Sequence, residues 1–393
     1  MKLKNIAEVK NIKGKRVLVR LDCNVPLRGG KIIDDFKITR SLPTIRYLLK
    51  KGGRVIIMSH LGRPRGVDKH LSLRPVQRHL EKLLGQKIEF VPLARIKRPE
   101  TFNRMKPGDV ALLENIRFLA GEEKNDVSLA KQLARTADLF VLDGFAVAHR
   151  PAASVVGVTK YLPSYAGLLL ASEIAALAKI MAKPRRPLVI ILGGAKPETK
   201  IPVLEYFLSK ADAVLLGGTV AAEYFTALSQ GQSVFAPALV SKVRRGCRAG
   251  KIIVPVDVVA GAADGARAGL MPAAEYLKKI QGGKFRGKMY DIGPATTQMF
   301  ASYIKRARTI IWNGAMGKFE VPVYGHATKA IAHLFAARSQ GQAFGVCGGG
   351  ETVAVIRSLG LLGDIDLVST GGGAMLEFLS GKKLPGLAVL QKK

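Results

Sequence analysis

Cysteine is scarce in this chain, and long apolar segments are missing. The three cysteines among 393 residues, Cys23, Cys247 and Cys347, lie far apart and form no CxxC pair, which argues against a disulfide framework and a structural zinc site. No uncharged apolar run reaches the roughly 18 residues that a membrane helix needs, so we expect no transmembrane helix. Residues 1–5 have no apolar run behind their positive charge, which favours a cytoplasmic protein without a secretory signal.

Acidic residues are also few compared with basic ones. The chain has 29 Asp and Glu against 62 Lys and Arg, which gives a formal net charge of +33 and a pI near 10.3. Such a field attracts polyanions, and both nucleic acid and small phosphorylated substrates are candidates. However, no long Lys/Arg tract or basic tail occurs, and the charge is spread through patterned sequence. We therefore interpret it as a solvated basic surface, with nucleic acid at most a nonspecific electrostatic partner.

The chain does contain one repeated pattern, an apolar β-branched run followed by a helical segment. The runs occur at residues 16–22, 54–60, 110–115, 139–143, 188–192, 213–216, 252–259, 309–312 and 343–347. Continuous apolar runs are typical of buried parallel strands, and their alternation with helices indicates βαβ units. With 393 residues the chain is also too long for a single hydrophobic core. We therefore predict an α/β fold with two doubly wound parallel-sheet domains.

A long helical pattern lies near the middle of the chain and marks a boundary. It begins at Pro163-Ser164 and ends at Lys183-Pro184, where proline stops it because proline lacks the N–H. We predict a helix over residues 164–183 that joins the two domains as a hinge. The pattern alone is equally typical of an ordinary surface helix.

Polar residues collect at the predicted strand ends of the first half. Ligands of doubly wound sheets bind beyond the carboxyl ends of the strands. Guanidinium groups bind phosphate and carboxylate in a bidentate way, and Asp or Asn can hold a hydroxyl. The residues concerned are Asp22, Asn24, His60, Arg63, Arg117 and Arg150. A surface ion pair is the simpler interpretation for any one arginine, but together these residues indicate a site for a small phosphorylated hydroxy acid.

Glycines follow the predicted strands of the second half. They occur at residues 193–194, 217–218, 293, 314, 348–350 and 371–373. Glycine lets backbone N–H groups approach a phosphate closely, and a helix N-terminus adds favourable partial charge. One such loop would indicate only a turn, whereas several on one sheet indicate a nucleotide site. The chain has neither a Walker loop nor a GxGxxG after a strand, so the most familiar nucleotide-binding families are excluded.

Several longer strings resemble the phosphoglycerate kinase family. They are RLDCNVPL (20–27), SHLGRP (59–64), LLENIRF (112–118), AHR (148–150), LGGAK (192–196), WNGAMGKFE (312–320) and STGGGAMLEFLSGKKLPG (369–386). The strings keep the order of that family and span nearly the whole chain, and the first two together are highly specific. The AHR segment and the short length are somewhat similar to archaeal members.

The resemblance implies an activity and a domain arrangement. The activity is reversible phosphoryl transfer between 1,3-bisphosphoglycerate with ADP and 3-phosphoglycerate with ATP, in glycolysis and gluconeogenesis, with Mg²⁺ bound as Mg-ADP or Mg-ATP. Residues 1–163 would bind the acid through the six residues named above, and residues 184–370 would bind the nucleotide. Residues 371–393 would supply a phosphate-cradling helix start and a tail that returns to the first domain. A hinge would close the cleft, and we expect a monomer.

The resemblance also implies roles for single residues. Lys37, Lys196, Gly372 and Gly373 would act on the transferring phosphoryl group. The nucleotide would be bound by Lys196, Lys200, Gly217, Gly218, Asn313, Glu320, Gly349, Gly350, Glu351 and Thr352, and Glu351 would also serve the metal. Because phosphoryl transfer spreads charge over the equatorial oxygens, such a site works by positioning and electrostatics and needs no enzyme nucleophile.

The sequence departs from the family pattern at several site positions. The arginine usual after the acidic pair before the first long helix is Lys37, the aspartate of the GGAK loop is Thr199, and the aspartate after the glycine run 348–350 is Glu351. An ammonium is a compact point charge and cannot replace the planar fork of a guanidinium at a bidentate site. We predict Lys37 as the catalytic cation, with Arg40, three residues further on, as the alternative.

Two other functions stay open. A chain that keeps this fold without turnover would mainly bind a partner such as nucleic acid, and a salt-dependent electrophoretic shift would reveal it. Another α/β enzyme acting on a phosphorylated acid, such as a reductase, would need a dinucleotide fingerprint, and none is visible. Turnover with 3-phosphoglycerate, ATP and magnesium separates these functions.

Overall fold

Two compact units make up the described part of the chain. The computed structural model describes residues 1–229, 232–283 and 285–392, so Lys393, the last residue of the expected tail, lies outside them. Unit 1 holds Met1–Ala178 and the described residues after Lys382, and unit 2 holds Lys179–Lys382. Among the described residues, no helix is both long enough and apolar enough to span a bilayer.

Unit 1 is built on a parallel sheet. Its strands, including a short hairpin, are β1 (Arg16–Arg20), β2 (Leu27–Arg28), β3 (Lys31–Ile32), β4 (Arg54–Met58), β5 (Glu89–Val91), β6 (Val110–Leu113), β7 (Leu139–Leu142) and β8 (Ser164–Ala166). The sheet order is β5-β6-β4-β1-β7-β8, and every neighbouring pair is parallel. The four central strands, β6, β4, β1 and β7, are almost wholly buried runs, as predicted for a sheet covered on both faces.

Helices pack on this sheet through apolar stripes. The α-helices are α1 (Phe36–Lys50), α2 (Arg74–Leu84), α3 (Val127–Arg135) and α4 (Leu168–Ala182). Shorter 3-10 turns span Ile6–Glu8, Lys69–Leu71, Leu93–Lys97, Pro99–Arg104, Ile116–Phe118, Phe145–Val147 and Gly157–Lys160. In α1, Ile38, Ile45 and Leu48 recur at helical spacing and lie in one buried cluster with Val17 and Val19 of β1. This packing fixes the position of the carboxyl edge of the sheet, where the polar loops begin.

The long helix in the middle of the chain begins later than the sequence predicted. It starts at Leu168 and not at residue 164, because Ser164–Ala166 joins the sheet as β8 and pairs in parallel with β7. The helix ends at Ala182, just before Lys183 and Pro184. The boundary between the two units falls inside it, after Ala178. A hinge at this helix stays a prediction.

Unit 2 contains a second parallel sheet and a smaller antiparallel one. The strands are β9 (Leu188–Leu192), β10 (Ala213–Leu216), β11 (Ile252–Ile253), β12 (Asp257–Gly261), β13 (Gly269–Pro272), β14 (Lys288–Ile292), β15 (Thr309–Asn313), β16 (Phe344–Gly348) and β17 (Leu367–Ser369). The parallel order is β11-β10-β9-β15-β16-β17. The chain passes from β9 to β10 and β11 toward one edge of the sheet, and from β15 to β16 and β17 toward the other edge. The strand order therefore reverses between β9 and β15.

The helices of unit 2 alternate with these strands. They are α5 (Ile201–Phe207), α6 (Gly218–Leu228), α7 (Pro237–Arg248), α8 (Ala273–Gln281), α9 (Pro294–Arg306), α10 (His326–Ser339), α11 (Gly350–Ser358) and α12 (Gly373–Leu379). Shorter 3-10 turns span Pro197–Thr199, Pro322–Tyr324 and Leu362–Asp364. The expectation of two doubly wound parallel sheets is thereby confirmed.

One predicted strand is wrong. The apolar run at residues 252–259 is not continuous, because it is interrupted at Pro255, which cannot donate to a sheet ladder. Its first part forms β11 in the parallel sheet, while β12 lies in an antiparallel sheet of order β13-β12-β14. The sequence reading did not anticipate this second sheet, and it also missed the short strands β5, β8 and β17.

The last described residues belong to unit 1. They contain α13 (Pro385–Ala388) and then run beside the first residues of the chain. The Lys4 N–H donates to the Leu390 carbonyl at 2.9 Å, and the Lys392 N–H donates to the Lys2 carbonyl at 3.0 Å. Unit 1 is therefore discontinuous in sequence, whereas unit 2 is one uninterrupted segment.

Candidate functional site

The loops after β1, β4 and β6 meet at the carboxyl edge of the first sheet. Asn24, after β1, accepts a hydrogen bond from the Gly62 N–H at 2.9 Å. Arg117, after β6, donates to the Gly62 carbonyl at 2.6 Å, and buried Asn115 donates to the Leu61 carbonyl at 2.8 Å. Candidate residues from three strand ends therefore share one surface.

Asp22 and Lys37 form an ion pair beside these loops. Lys37 Nζ lies 2.6 Å from Asp22 Oδ2, and the Asn24 N–H donates to Asp22 Oδ1 at 3.0 Å. Burial, the largest single effect, would raise the pKa of the Asp22 carboxyl, but the Lys37 ammonium together with the other neighbouring groups outweighs it, and the pKa lies below its ordinary value. The Lys37 side chain is 30% exposed, so the predicted cation faces both Asp22 and solvent. Arg40 is exposed.

His60 is buried against a guanidinium. Arg20, itself 1% exposed, points Nη2 at His60 Nδ1 across 3.3 Å. A guanidinium can only donate, so Nδ1 accepts and the proton of the neutral imidazole lies on Nε2. Burial, and then the Arg20 charge, lower the pKa of His60 well below its ordinary value, so the ring is neutral at pH 7. His60 can therefore donate from Nε2 to an anionic oxygen.

A buried polar network holds Arg20 in place. Its Nε donates to Ser154 Oγ at 2.9 Å and its Nη1 donates to the Leu21 carbonyl at 2.7 Å. Glu122 is 2% exposed, accepts the Ser154 N–H at 3.0 Å and lies 3.9 Å from Arg20. Burial lowers the pKa of Arg20, and the Glu122 charge opposes that shift. The carboxylate thus compensates a guanidinium that water cannot reach.

Arg117 and Arg150 share one carboxylate oxygen. Arg117 Nε lies 3.5 Å and Arg150 Nη1 lies 3.6 Å from Glu123 Oε1. Burial, followed by repulsion from Arg150 and Arg20, lowers the pKa of Arg117 to about 10, which leaves it charged at neutral pH. The two guanidiniums therefore form a pair suited to bind an anion. Arg63, the third predicted arginine, is exposed.

The site of unit 2 lies where β9 and β15 end side by side. Gly193 and Gly314 pack backbone to backbone there. A Cβ on Gly193 would lie 2.2 Å from the Ala315 carbonyl oxygen, and one on Gly314 would lie 2.2 Å from the Gly193 carbonyl oxygen. Any other residue at these two positions would push the loops apart. The two glycines thus allow the loops after β9 and β15 to contact each other closely. This is the point where the strand order of the sheet reverses and where ligands of this fold class bind.

Glu351 reaches from the start of α11 to the loop after β9. Both of its carboxylate oxygens lie 3.2 Å from the Ala195 nitrogen, whose N–H donates to them. Lys200 is 7% exposed, and burial lowers its pKa while the Glu351 charge opposes the shift. Lys196 is exposed on the same loop. Lys196 and Lys200 therefore lie on the loop that the Glu351 carboxylate contacts, and their roles toward a nucleotide stay predictions.

Two predicted nucleotide residues support the loops after β15 and β16. Asn313 is 2% exposed and donates from Nδ2 to the Gly348 carbonyl at 2.7 Å. The Thr352 hydroxyl is buried and accepts the Gly314 N–H at 2.7 Å. In this structure both side chains hold backbone groups in position.

A cavity of about 300 Å³ opens beside these loops, a size that suits a small-molecule ligand. The predicted residues Gly218, Glu320 and Glu351 line it, as does Ala195. The other lining residues are mainly small, apolar or aromatic, and they include Thr219, Met289, Tyr290, Lys318 and Phe319. An apolar wall with a few polar groups at its margin suits a base and a ribose.

The glycines predicted at the nucleotide site stand at helix starts. The pairs are Gly217–Gly218 at α6, Gly349–Gly350 at α11 and Gly372–Gly373 at α12. Gly373 does not line the cavity; it lines a separate hollow of about 260 Å³ with Glu198 and Thr199. Of the predicted glycines, Gly218 therefore lines the cavity, whereas Gly373 lines the other hollow.

Sequence reasoning missed several residues of both sites. In unit 1 they are Arg20, Glu122, Glu123 and Ser154, and in unit 2 they are the five further cavity residues named above. A signal existed for Arg20, which is a charged residue inside a run that otherwise reads as a buried strand. Tyr290 gave no such signal, because it lies on β14 of the unforeseen antiparallel sheet.

Protein ligands alone do not build a metal site in the described residues, which contain no cluster of three or more His, Cys, Asp or Glu side chains able to bind one. Mg²⁺ commonly keeps several waters and is held through one or two carboxylates together with substrate phosphates. Glu351 offers one carboxylate beside the cavity. That arrangement fits a metal that arrives with a nucleotide.

Known proteins share this sequence and fold. The family model described as phosphoglycerate kinase matches residues 6–382. The phosphoglycerate kinases of Dictyoglomus turgidum and Thermus thermophilus are 42% and 43% identical over 393 residues, covering 98% and 96% of this chain and 97% of each relative. Solved phosphoglycerate kinase structures from Coxiella burnetii and Pyrococcus horikoshii OT3 match with TM-scores of 0.81 and 0.82 at 35% and 33% identity. Each match covers 99% of this chain and 98% of the other.

Proposed function

Since this chain belongs to the phosphoglycerate kinase family, we propose that unit 1 holds the acid substrate and unit 2 holds the magnesium nucleotide. The enzyme is a phosphotransferase of glycolysis that moves a phosphoryl group reversibly between 1,3-bisphosphoglycerate with ADP and 3-phosphoglycerate with ATP. The observation that carries the proposal is the contrast between the two sheet edges. One presents guanidiniums and an imidazole, and the other a glycine-lined cavity.

We assign the acid substrate to the loops around Gly62. A substrate with a carboxylate, a hydroxyl and a phosphate needs several cations and at least one polar group for the hydroxyl. The assigned residues are Asp22, Asn24, His60, Arg63, Arg117 and Arg150. His60 would donate from Nε2, and the paired guanidiniums of Arg117 and Arg150 would bind the most negative group.

We assign the nucleotide to the cavity and its neighbouring loops. The base and ribose would lie between α6 and the segment around Glu320, and the phosphates would lie toward Lys196 and Lys200. The assigned residues are Lys196, Lys200, Gly217, Gly218, Asn313, Glu320, Gly349, Gly350, Glu351 and Thr352. Support comes from the cavity lining and from the contact of Glu351 with the Ala195 N–H.

Mg²⁺ would be held by the nucleotide phosphates and Glu351. When bound there, the metal would supply positive charge that offsets the charge of the phosphates. Both carboxylate oxygens of Glu351 accept the Ala195 N–H, and each keeps a further lone pair that could bind the metal. If Glu351 turned toward the metal, the Ala195 N–H would be free to donate to a phosphate oxygen.

The transfer itself would depend on cations placed around the migrating group. We assign this work to Lys37 and Lys196, with Gly372 and Gly373 offering backbone N–H groups. Since acid and nucleotide bind to different units, in-line transfer requires closure about α4, which stays a prediction. Location in the cytoplasm and a monomeric state also stay predictions, and light scattering tests the latter against the chain mass of 42.3 kDa.

Two variants test the division of roles between the units. Arg150→Ala should raise KM for 3-phosphoglycerate by about tenfold or more and leave KM for ATP unchanged, because a charge-assisted hydrogen bond to the acid is lost. Lys196→Ala should lower kcat about a hundredfold and change acid affinity little. Steady-state kinetics in both substrates measures these effects.

Arg95→Ala is the matched control, since Arg95 is an exposed arginine of unit 1 that pairs with Glu89 at 3.2 Å. The assignment of unit 1 would be wrong if Arg150→Ala behaved like this control. The assignment of Lys196 would be wrong if its removal lowered kcat less than about fivefold.

A further inference from the structure

A carboxylate of the chain itself lies between two arginines assigned to the acid substrate. The same oxygen, Glu123 Oε1, lies 3.5 Å from Arg117 Nε and 3.6 Å from Arg150 Nη1. The inference drawn from this contact rests on the proposed function, because it takes both arginines to bind the substrate.

The two guanidiniums favour an anion between them. The Arg117 side chain is 6% exposed, so water screens its charge poorly. Burial, followed by repulsion from Arg150 and Arg20, lowers the pKa of Arg117 to about 10, so the cationic form is less favourable here than in water. A negative oxygen placed between Arg117 and Arg150 relieves that repulsion.

Glu123 provides this oxygen but is held loosely. Its side chain is 61% exposed, and both distances exceed the 2.7–3.2 Å typical of an N–H···O hydrogen bond. The preceding residue shows the opposite case. Glu122 is 2% exposed and accepts hydrogen bonds from the backbone N–H and the hydroxyl of Ser154. If it moved away, these buried donors would lose their acceptor. Of these two consecutive carboxylates, one is fixed and the other is free to move.

We propose that Glu123 is an internal stand-in for the anionic group of the acid substrate, and that substrate binding displaces it from Arg117 and Arg150. A carboxylate in this position holds the two guanidiniums close enough to share one oxygen when no substrate is bound. It also sets the affinity for the acid, since every incoming anion has to replace a carboxylate that is always present. Glu123 thus sets the affinity of the acid site.

Removing the charge of Glu123 should therefore strengthen acid binding. Glu123→Gln keeps the size of the side chain and should lower the Kd for 3-phosphoglycerate about two- to fivefold, the range that an exposed ion pair is worth. Titration calorimetry at low ionic strength without nucleotide measures this directly. The gain should shrink in high salt, where exposed charges are screened. KM for the acid should fall in parallel, while KM for ATP stays the same.

Glu89→Gln is the matched control, because Glu89 is also a half-exposed carboxylate of unit 1 paired with an arginine, Arg95, at 3.2 Å. It removes the same charge elsewhere and should leave the Kd unchanged. Glu123→Asp keeps the charge but shortens the reach, so its Kd should lie between those of the wild type and Glu123→Gln. Equal melting temperatures of the variants exclude a folding defect.

The outcomes separate this inference from the proposed function. If Glu123→Gln binds 3-phosphoglycerate as weakly as the wild type or more weakly, while Arg150→Ala loses binding, the stand-in role is overturned and the acid site is kept. If Arg150→Ala binds normally, the acid site itself is misplaced and the stand-in role is overturned with it. Tighter binding in Glu123→Gln but not in Glu89→Gln supports the proposal.

Discussion

At the scale of single residues, Lys37 is the departure with the clearest chemical consequence. It pairs with Asp22 at 2.6 Å, whereas Arg40 is exposed. Lys37→Ala should lower kcat about tenfold to a thousandfold, because it removes the charge that we propose stabilises the migrating group. Lys37→Arg should be as active or more active, since a guanidinium can bridge two oxygens. Steady-state kinetics in both directions checks this.

Arg40→Ala serves as the control for Lys37 and should change kcat little. A severe loss in Arg40→Ala together with a silent Lys37→Ala would reverse the assignment. Lys37→Ala should also lower stability, because Asp22 is buried and would lose its counter-charge. A melting curve measured beside the kinetics separates this loss from an effect on turnover.

Glu351 is the carboxylate that we propose as a ligand of Mg²⁺. Glu351→Gln should raise the magnesium concentration needed for half-maximal turnover about tenfold, because a carboxylate ligand is replaced by a neutral amide. Glu351→Asp restores the residue usual in the family and should keep tight magnesium dependence. Titrating activity with Mg²⁺ and with Mn²⁺ measures both variants.

Glu198→Gln is the control for Glu351, since Glu198 is an exposed carboxylate on the loop after β9 and also lies within electrostatic range of Lys200. Its magnesium dependence should match the wild type. If the magnesium dependence of Glu351→Gln also matches that of the wild type, the Glu351 carboxylate positions the loop after β9 and does not bind the metal.

At the scale of elements, the start of α4 depends on Asp143 at the end of β7. Asp143 is fully buried, and its Oδ1 accepts the Leu170 N–H at 3.0 Å. Burial raises the pKa of the Asp143 carboxyl to about 7, although hydrogen bonds from Thr44 and Leu170 oppose the shift. The native state therefore holds a proton that the unfolded chain releases near pH 4.

Because the native pKa is the higher one, this carboxyl stabilises the fold at low pH, and its contribution is lost as pH rises toward about 7. The free energy of unfolding should fall by about 2 kcal/mol more between pH 5 and 7 in the wild type than in Asp143→Asn, which keeps the acceptor oxygen. Urea unfolding followed by circular dichroism measures this difference. Parallel pH profiles would show that Asp143 does not titrate in this range.

The elements of the fold differ in how well the sequence predicts them. Long buried runs such as β1, β4 and β9 were predicted, because a parallel sheet covered on both faces leaves a continuous apolar signal. Residues 164–166 were placed in the helix, since three residues carry too little pattern to reveal a strand whose partner is β7. The run 252–259 was overextended because its apolar character continues across a proline that divides two sheets.

The residues of the candidate sites could likewise be predicted only in part. Strand-end positions led to Asp22, His60 and Lys196, because the carboxyl edge of a parallel sheet is fixed by topology. Glu123 was not found, since its importance lies in a contact with two arginines that are distant from each other in sequence. Tyr290 could not be found without knowing that β14 exists. Local pattern predicts where a loop begins, and only tertiary contacts tell which side chains face each other.

At the scale of the whole molecule, unit 1 depends on residues that follow unit 2. Leu384, Leu387 and Leu390 are buried, and the Gly386 N–H donates to the Ala148 carbonyl at 2.8 Å. Ending the chain at Lys382 should lower the stability of unit 1 by roughly 4–6 kcal/mol, since each buried leucine is worth about 2 kcal/mol. Urea unfolding of the shortened chain measures the loss.

Leu387→Ala is the milder form of this change and should cost about 2–5 kcal/mol. Binding of ADP should survive both changes, because the cavity residues all belong to unit 2. A shortened chain with unchanged unfolding would mean that the tail contributes no stability to unit 1.

The discontinuity of unit 1 also has a consequence for the order of events on the ribosome. Lys2 and Lys4 pair with Lys392 and Leu390, so the early residues of unit 1 wait for partners that are translated after all of unit 2. At 5–20 residues per second, translating the intervening unit takes roughly ten to forty seconds. Domains usually finish folding in the order of their synthesis. Here the later unit can finish first, and the earlier one remains open for chaperones or proteases until its last segment emerges.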